Sequence, residues 1–429
     1  MAAMIARPAS LAVRVPGDKS ISHRALICAA LASGRSRIRN ILPSADVRST
    51  GGVLRALGGR VPQLADDMRV DGRGLAGLAA AETPLDCGNS GTTARLMSGV
   101  LSGCPFVSRL VGDASLSRRP MGRVARPLTM MGARFAFDSG DHLPMVVTGG
   151  RLQSIDFDSP TASAQVKSAI LLAGLVGRVR VTVREPVRSR DHTERMLAAL
   201  GIELRSIGLE ASLEPAPELL PFQIDVPADP SSAAFFAALA AAGGVRDGGP
   251  LELTDVALNP TRLGFFRILR DMGADVAWDV HRDECGEPVG TITVAPRGLE
   301  GVEVRGEQVP AMIDELPMLA CLGALANGVT EIRGASELRV KESDRIAAVV
   351  HNLRVVGADA DELPDGLLVR GGGGKRALGG AVQTHGDHRL AMAFGVLGAL
   401  SGNRITVDDP DCVSVSYPGF WSDLERVTA

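Results

Sequence analysis

Six alanine- and leucine-rich segments, each finishing at a glycine, recur along this chain at a spacing of roughly 70 residues, and no other feature restricts the fold so strongly. They run from Ser22 to Gly34, Thr92 to Gly103, Val166 to Gly177, Ser231 to Gly243, Leu316 to Gly328 and His388 to Gly402. Each is apolar nearly all round, the pattern of a helix buried on every side, and its glycine is the residue expected at a helix C-cap. Between them lies a second series of amphipathic stretches. Five of these end in an apolar residue and then glycine, at Leu57-Gly58, Met131-Gly132, Leu200-Gly201, Met272-Gly273 and Val356-Gly357, and Tyr417 to Val427 reads as a shortened sixth copy. Valine-rich alternating runs such as Val179 to Val183 and Val329 to Arg333 supply strands. The expected class is α/β, with sixfold repetition of a unit holding two helices and several short strands.

A chain of 429 residues lies above the usual single-domain range, so two large domains are expected. Aromatics make up only 3% of the chain while glycine reaches 50 residues, which predicts helices packed closely through small side chains around an aliphatic core. The formal charge is -3, with no basic run long enough to track a phosphate backbone, so nucleic acid is not an expected partner. An anion site here must be a local concentration of arginine and lysine. Cys28, Cys87, Cys104, Cys285, Cys321 and Cys412 are scattered, without zinc spacing or the density of a disulfide scaffold, which fits reduced thiols in a cytoplasm. Arg7 and Arg14 interrupt the first apolar residues, and no later run approaches the roughly 20 apolar residues needed to cross a bilayer, so neither secretion nor membrane insertion is expected. The aspartates show no clustered metal-binding spacing.

The start of each buried helix is polar. In order these starts are Lys19-Ser20, Asn89-Ser90-Gly91-Thr92, Ser163-Ala164-Gln165, Asp229-Pro230-Ser231-Ser232, Asp314-Glu315-Leu316-Pro317 and Asp387-His388-Arg389. Unpaired N–H groups and the helix dipole favour anions at such places. Plain N-capping accounts for serine, asparagine and aspartate there. It does not account for Lys19, Arg24 and Arg389, because a cation gains nothing from the positive end of a dipole.

At this level of detail the chain resembles the enolpyruvyl transferase family, in particular its class II 5-enolpyruvylshikimate-3-phosphate synthases. The resemblance runs through Pro16-Gly17-Asp18-Lys19-Ser20-Ile21-Ser22-His23-Arg24, Gly88-Asn89-Ser90-Gly91-Thr92 and Arg119-Pro120-Met121. It continues through Ser163-Ala164-Gln165-Val166-Lys167, Arg190-Asp191-His192-Thr193-Glu194, Asn259-Pro260-Thr261-Arg262, Leu338 to Arg345 and Asp387-His388-Arg389. It implies two similar domains of three repeats each, with buried parallel helices and outer mixed sheets, an inside-out α/β barrel. One domain would comprise 1–15 and 229–429 and the other 16–228, with the active site in the cleft between them.

The resemblance also implies a reaction between phosphoenolpyruvate and shikimate 3-phosphate, both carrying a carboxylate and a phosphate, which arginine is suited to bind. Lys19, Gly91, Arg119, Gln165, Arg345 and Arg389 would hold phosphoenolpyruvate. Lys19, Ser20, Arg24, Ser163, Ala164, Gln165, Arg190, Asp314 and Lys341 would hold shikimate 3-phosphate. Asp314 is the leading candidate to accept the hydroxyl proton, provided it stays clear of direct arginine pairing, with Lys19 and Glu342 the candidates for proton traffic at the enolpyruvyl carbon. Asp314 could instead be a helix cap beside Glu315. His192 and His388 are read as structural or orienting residues, and Arg95 and Arg123 escape the default of a surface ion-pair residue less clearly than Arg119 and Arg345, which sit inside the motifs. Glyphosate is the expected inhibitor, with room for it left by Gly91. No metal or cofactor is expected, and the protein is expected to be a monomer.

Two departures qualify the resemblance. Val413 to Pro418 lacks the lysine that many members carry there, so that contact is missing or supplied differently. Asp113 to Pro120 lacks the cysteine of the sister enzyme acting on UDP-N-acetylglucosamine, which argues against that acceptor. A catalytically silent anion-binding protein would need the cations but not Asp314 and Glu342.

Overall fold

The computed structural model describes residues 11–429, so Arg7 and the first ten residues of the expected 1–15 segment lie outside the described residues. Among the described residues twelve α-helices alternate between the two series read from the sequence. The buried series is α1 (Lys19–Leu31), α3 (Gly91–Ser102), α5 (Ala164–Gly177), α7 (Pro230–Ala241), α9 (Leu316–Leu325) and α11 (His388–Ala399). The amphipathic series is α2 (Ala45–Ala56), α4 (Gly122–Met130), α6 (His192–Ala199), α8 (Gly264–Asp271), α10 (Arg345–Val355) and α12 (Phe420–Thr428).

Each buried helix crosses between two parallel strands. Leu85–Asp86 pairs with Val107–Val111 across α3, Ile155–Asp158 with Val181–Arg184 across α5, Glu303–Val304 with Asn327–Ile332 across α9, and Gly379–Val382 with Arg404–Val407 across α11. The other two helices borrow their first strand from far along the chain. Gln223–Asp225 pairs with Arg35–Arg39, and Leu11–Val13 pairs with Leu251–Ala257. Antiparallel strands then extend most of the sheets, as Met145–Thr148 does beside Val107–Val111. Side chains on the strands alternate between buried and open positions while the helices between them are buried, so the helices lie inside and the sheets outside.

The chain divides into two compact units. Among the described residues one comprises 11–16, Ala228–Arg282 and Pro288–Ala429, and the other Gly17–Pro227 together with Asp283–Glu287. That short segment is the tip of a hairpin, and no sequence signal marked it. It belongs with Gly17–Pro227 because Glu287 meets His192, the Gly286 carbonyl accepts from Arg195, and Glu284 accepts the Asp225 N–H.

Glycine marks the amphipathic helices as read. Gly58, Gly132, Gly201, Gly273 and Gly357 all adopt positive φ, and in every case the following residue donates to a carbonyl five positions back, as Gly59 does to Leu54 and Ala358 to Leu353. That is the Schellman closure, which satisfies helix-end carbonyls and needs a left-handed residue. The buried series departs from expectation. Gly243 closes α7 in this way, but α1, α9 and α11 end on extended residues, Ala32, Ala326 and Leu400, while Arg178 takes the left-handed position after α5. A chain that runs straight from helix to strand has no left-handed turn to make, so its glycine serves elsewhere.

Small residues do bring the buried helices together. A Cβ on Gly99 of α3 would lie 2.1 Å from the Ala169 carbonyl oxygen of α5, so any side chain would force the two backbones apart. The expectation of an aliphatic core holds less well. Phe235, Phe236, Phe265, Phe266, Phe394, Tyr417 and Phe420 are all fully buried and belong to the unit containing Ala228–Arg282, where Phe420 packs against Phe235, Phe236 and Tyr417. The aromatics are few but concentrated where α7 meets the C-terminal segment.

Candidate active site

In the Gly17–Pro227 unit, side-chain caps set the helix starts. Asp18 Oδ1 accepts the Ile21 N–H at 2.8 Å, which makes Lys19 and Ser20 the first residues of α1. Lys19 Nζ lies 3.0 Å from Asp46 Oδ2 in the first turn of α2. One turn further in, Arg24 is buried and held by neutral oxygens: Nε donates to Thr193 Oγ1 at 2.6 Å, Nη2 to Ser168 Oγ at 2.7 Å and Nη1 to the Ser20 carbonyl at 3.0 Å. Burial lowers its pKa, and Glu194 opposes that shift.

Ser90 caps α3, so Gly91 is its first residue. Asn89 Oδ1 accepts from Arg119 Nη2 at 2.7 Å, and Ser115 Oγ accepts from the same nitrogen at 3.2 Å. Gln165, in the first turn of α5, is pinned at both ends: its Oε1 accepts from Arg95 Nη1 at 2.7 Å and its Nε2 donates to Thr92 Oγ1 at 3.0 Å. Gly91, Thr92, Arg119 and Gln165 are therefore one cluster, and Arg95 belongs to it. Arg95 does not fit the default of a surface residue, since it is 6% exposed. Its place four residues after Gly91 on a helix, hence on the same face, was the available signal. Arg123 is half-buried. A Cβ at Gly91 would lie 2.6 Å from Arg95 Nη1, so that guanidinium bounds the space beside the glycine. Ser163 caps α5 ahead of Ala164, and Arg190 lies just before α6. His192 is fully buried with Nδ1 2.7 Å from Glu287 Oε1.

In the unit containing Ala228–Arg282, acids and cations interleave. Arg345, the first residue of α10, is 1% exposed and meets carboxylates from three segments. Its Nε donates to Asp387 Oδ2 at 2.8 Å, Nη2 to Glu342 Oε2 at 2.7 Å and Nη1 to Asp314 Oδ1 at 3.3 Å. Burial alone would lower its pKa, but Asp387, Glu342 and Asp314 more than offset this and raise it. Lys341 Nζ reaches the same Asp314 oxygen at 3.4 Å. Two expectations fall here. Asp314 is not clear of arginine, because a guanidinium buried this deeply needs several carboxylates around it. Nor is Asp314 a cap: α9 begins at Leu316 with Glu315 at the cap position and no side-chain cap bond. Asp387 caps α11 through the Arg389 N–H at 3.0 Å, and the Arg389 guanidinium lies 3.8 Å from Glu315 Oε1. His388 is buried at the start of the same helix. The motif residue Arg262 is buried too, donating to Asp229 Oδ1 at 3.0 Å and Ser231 Oγ at 2.8 Å.

Each unit thus presents polar helix starts lined with cations, and each sets a carboxylate beside a lysine, Asp46 beside Lys19 in one and Asp314 beside Lys341 in the other. Such an arrangement can bind carboxylates and phosphates and move a proton. Among the described residues no group of three or more histidine, cysteine, aspartate or glutamate side chains is arranged to hold a metal ion, and no helix is long and apolar enough to cross a membrane.

Residues 6–424 match the family described as EPSP synthase (3-phosphoshikimate 1-carboxyvinyltransferase). A 3-phosphoshikimate 1-carboxyvinyltransferase of Sulfurihydrogenibium sp. (strain YO3AOP1) is 49% identical over 421 residues, covering 97% of this chain and 96% of the relative. The solved EPSP synthase of Acinetobacter baumannii superposes with a TM-score of 0.85 at 41% identity, covering 97% of this chain and 95% of that one. The enolpyruvyl transferase NikO of Streptomyces tendae, at 22% identity and a TM-score of 0.75, shares the fold, covering 98% of this chain and 95% of that one.

Proposed function

The chain belongs to the EPSP synthase (3-phosphoshikimate 1-carboxyvinyltransferase) family, and from that premise we propose how its side chains carry out the family's reaction. The protein is a transferase of the shikimate pathway, on the route to aromatic amino acids. It joins the enolpyruvyl group of phosphoenolpyruvate to the 5-hydroxyl of shikimate 3-phosphate and releases phosphate.

The methylene carbon of phosphoenolpyruvate takes a proton and becomes a methyl group, the hydroxyl oxygen bonds to the adjacent carbon as its own proton leaves, and the tetrahedral product then gives up one methyl proton and expels phosphate to restore the double bond. Lys19, Arg119, Arg345 and Arg389, with the Gly91 backbone, bind phosphoenolpyruvate. Ser20, Arg24, Ser163, Ala164, Arg190 and Lys341 bind shikimate 3-phosphate, and Gln165 serves both. Asp314 accepts the hydroxyl proton, while Lys19 or Glu342 handles the proton at carbon.

The observation that carries this reading is that Asp314, the candidate proton acceptor, stands beside Lys341 and Arg345, the candidate ligands of the two substrates, so acceptor and anion-binding cations meet at one point. The reading also makes the protein a cytoplasmic monomer inhibited by glyphosate. The six free cysteines suit a reducing compartment. The decisive experiment follows phosphate release from phosphoenolpyruvate with shikimate 3-phosphate, and well-folded protein that releases none would refute it.

A further inference from the structure

Lys167, Glu185 and Glu194 form a buried ionic triad that takes no part in the chemistry above. Lys167 Nζ lies 2.6 Å from Glu185 Oε2 and 2.8 Å from Glu194 Oε1, and none of the three side chains is more than 6% exposed. Burial alone would lower the Lys167 pKa, but Glu194 and Glu185 more than offset this and raise it, so the ammonium stays charged. Burial raises the Glu194 pKa, and Lys167 offsets only part of that shift. An apolar trio of equal volume would fill the space with less desolvation. It would offer no acceptor to the backbone, and that is where the triad differs from packing.

Glu185 follows the strand Val181–Arg184 and uses both oxygens on neighbouring segments. Its Oε1 accepts the Ser163 N–H at 2.9 Å. Its Oε2 accepts the Ser189 hydroxyl at 2.8 Å and the Ser189 N–H at 3.4 Å. One carboxylate therefore ties the turn that starts α5, carrying Ser163, Ala164 and Gln165, to the turn that precedes Arg190. These are two arms of the shikimate 3-phosphate site. Lys167, one turn into α5, pins the carboxylate between them.

We propose that Glu185 is a positioning residue for the phosphorylated acceptor: it sets the spacing of the Ser163 and Arg190 arms and so governs affinity for shikimate 3-phosphate without touching it. This rests on the functional reading above. Glu185→Gln keeps the shape and one acceptor oxygen, but its amide nitrogen can accept from neither Ser189 nor Lys167. In that variant the KM and the calorimetric Kd for shikimate 3-phosphate should rise at least about tenfold, the scale of a lost charged hydrogen bond, while kcat and the KM for phosphoenolpyruvate stay within about twofold. Loss of packing alone would not single out one substrate. A parallel change in both Michaelis constants, or a fall in kcat with the shikimate 3-phosphate KM unmoved, overturns the proposal. Glu185→Asp keeps the charge beside Lys167 but shortens the reach to Ser163 and Ser189 by one methylene, and it carries the same test should Glu185→Gln fail to fold. Its binding of shikimate 3-phosphate should remain weak, and recovery of wild-type affinity would show that charge balance, not the tether, was what mattered. Wild-type turnover measured alongside tests the functional reading separately.

Discussion

Gly91→Ala offers a perturbation whose size follows from the geometry. The added methyl would lie 2.6 Å from Arg95 Nη1, whereas ordinary contact begins at 3.4 Å, so the guanidinium must retreat by the difference, about 0.8 Å. Arg95 is the far end of a flexible side chain, so the methyl is accommodated and the cost falls on what Arg95 was holding. Its bond to Gln165 is 2.7 Å long, and Gln165 cannot follow freely because its amide is anchored to Thr92. Loss of one hydrogen bond from a charged donor costs about 1.5–3 kcal/mol, or roughly 10- to 100-fold in a constant that depends on it. Arg119 Nη1 at 3.6 Å from the same methyl is already in ordinary contact and should not move.

The assay measures kcat, both Michaelis constants and the glyphosate inhibition constant in wild type, Gly91→Ala, Arg95→Lys and the double variant. Wild type should be inhibited competitively with phosphoenolpyruvate. Gly91→Ala should raise the inhibition constant more than the phosphoenolpyruvate KM, because the inhibitor's longer chain has less freedom beside a displaced Arg95 than the compact substrate. Since both substitutions act on one contact, the double variant should fall short of the summed single effects by more than about 0.5 kcal/mol. Additivity, equal factors in both constants, or a wild type already resistant to glyphosate would refute the displacement argument.

Three further outcomes are expected. Asp314→Ala should lower kcat by about 100-fold or more while calorimetric binding of shikimate 3-phosphate persists, and near-normal turnover would remove Asp314 from the chemistry. His23, whose pKa is pushed well below 6.5 by burial and then by Lys19 and Arg24, is neutral in the fold, so the unfolded chain binds the extra proton as pH falls. Its contribution is complete above the unfolded value and is lost below it, so chemical denaturation between pH 6.5 and 5 should show His23→Gln losing less stability than wild type, by up to about 1.4 kcal/mol per pH unit; equal slopes would contradict a neutral His23. Gly201→Ala meets nothing within 4 Å but sits at φ 83°, so the loss in unfolding free energy should be the left-handed backbone cost of about 1–2 kcal/mol, and an unchanged denaturation midpoint would contradict it.

What the sequence made legible was whatever a local pattern can carry. A helix buried on all sides has no polar face to hide, and a left-handed helix end admits few residues besides glycine, so the two helix series and the five Schellman closures stood in the residue order. The ends of α1, α9 and α11 did not, because an extended residue after a helix can be almost anything, as Ala32, Ala326 and Leu400 illustrate. The polar interior was hidden for a different reason: a buried charge is defined by its partners, and those come from elsewhere in the chain. Arg24 is held by oxygens 144 and 169 residues away. Arg345 draws its carboxylates from three segments, one of them 42 residues on, so a motif could name the arginine without revealing that Asp314 would be shared with it. Glu185 stands outside every motif that marked the site, yet it accepts hydrogen bonds from residues in or beside two of them. Motifs are read from residues close together along the chain; a carboxylate that hydrogen-bonds two separate turns, as Glu185 does at Ser163 and Ser189, becomes visible only when the chain is folded.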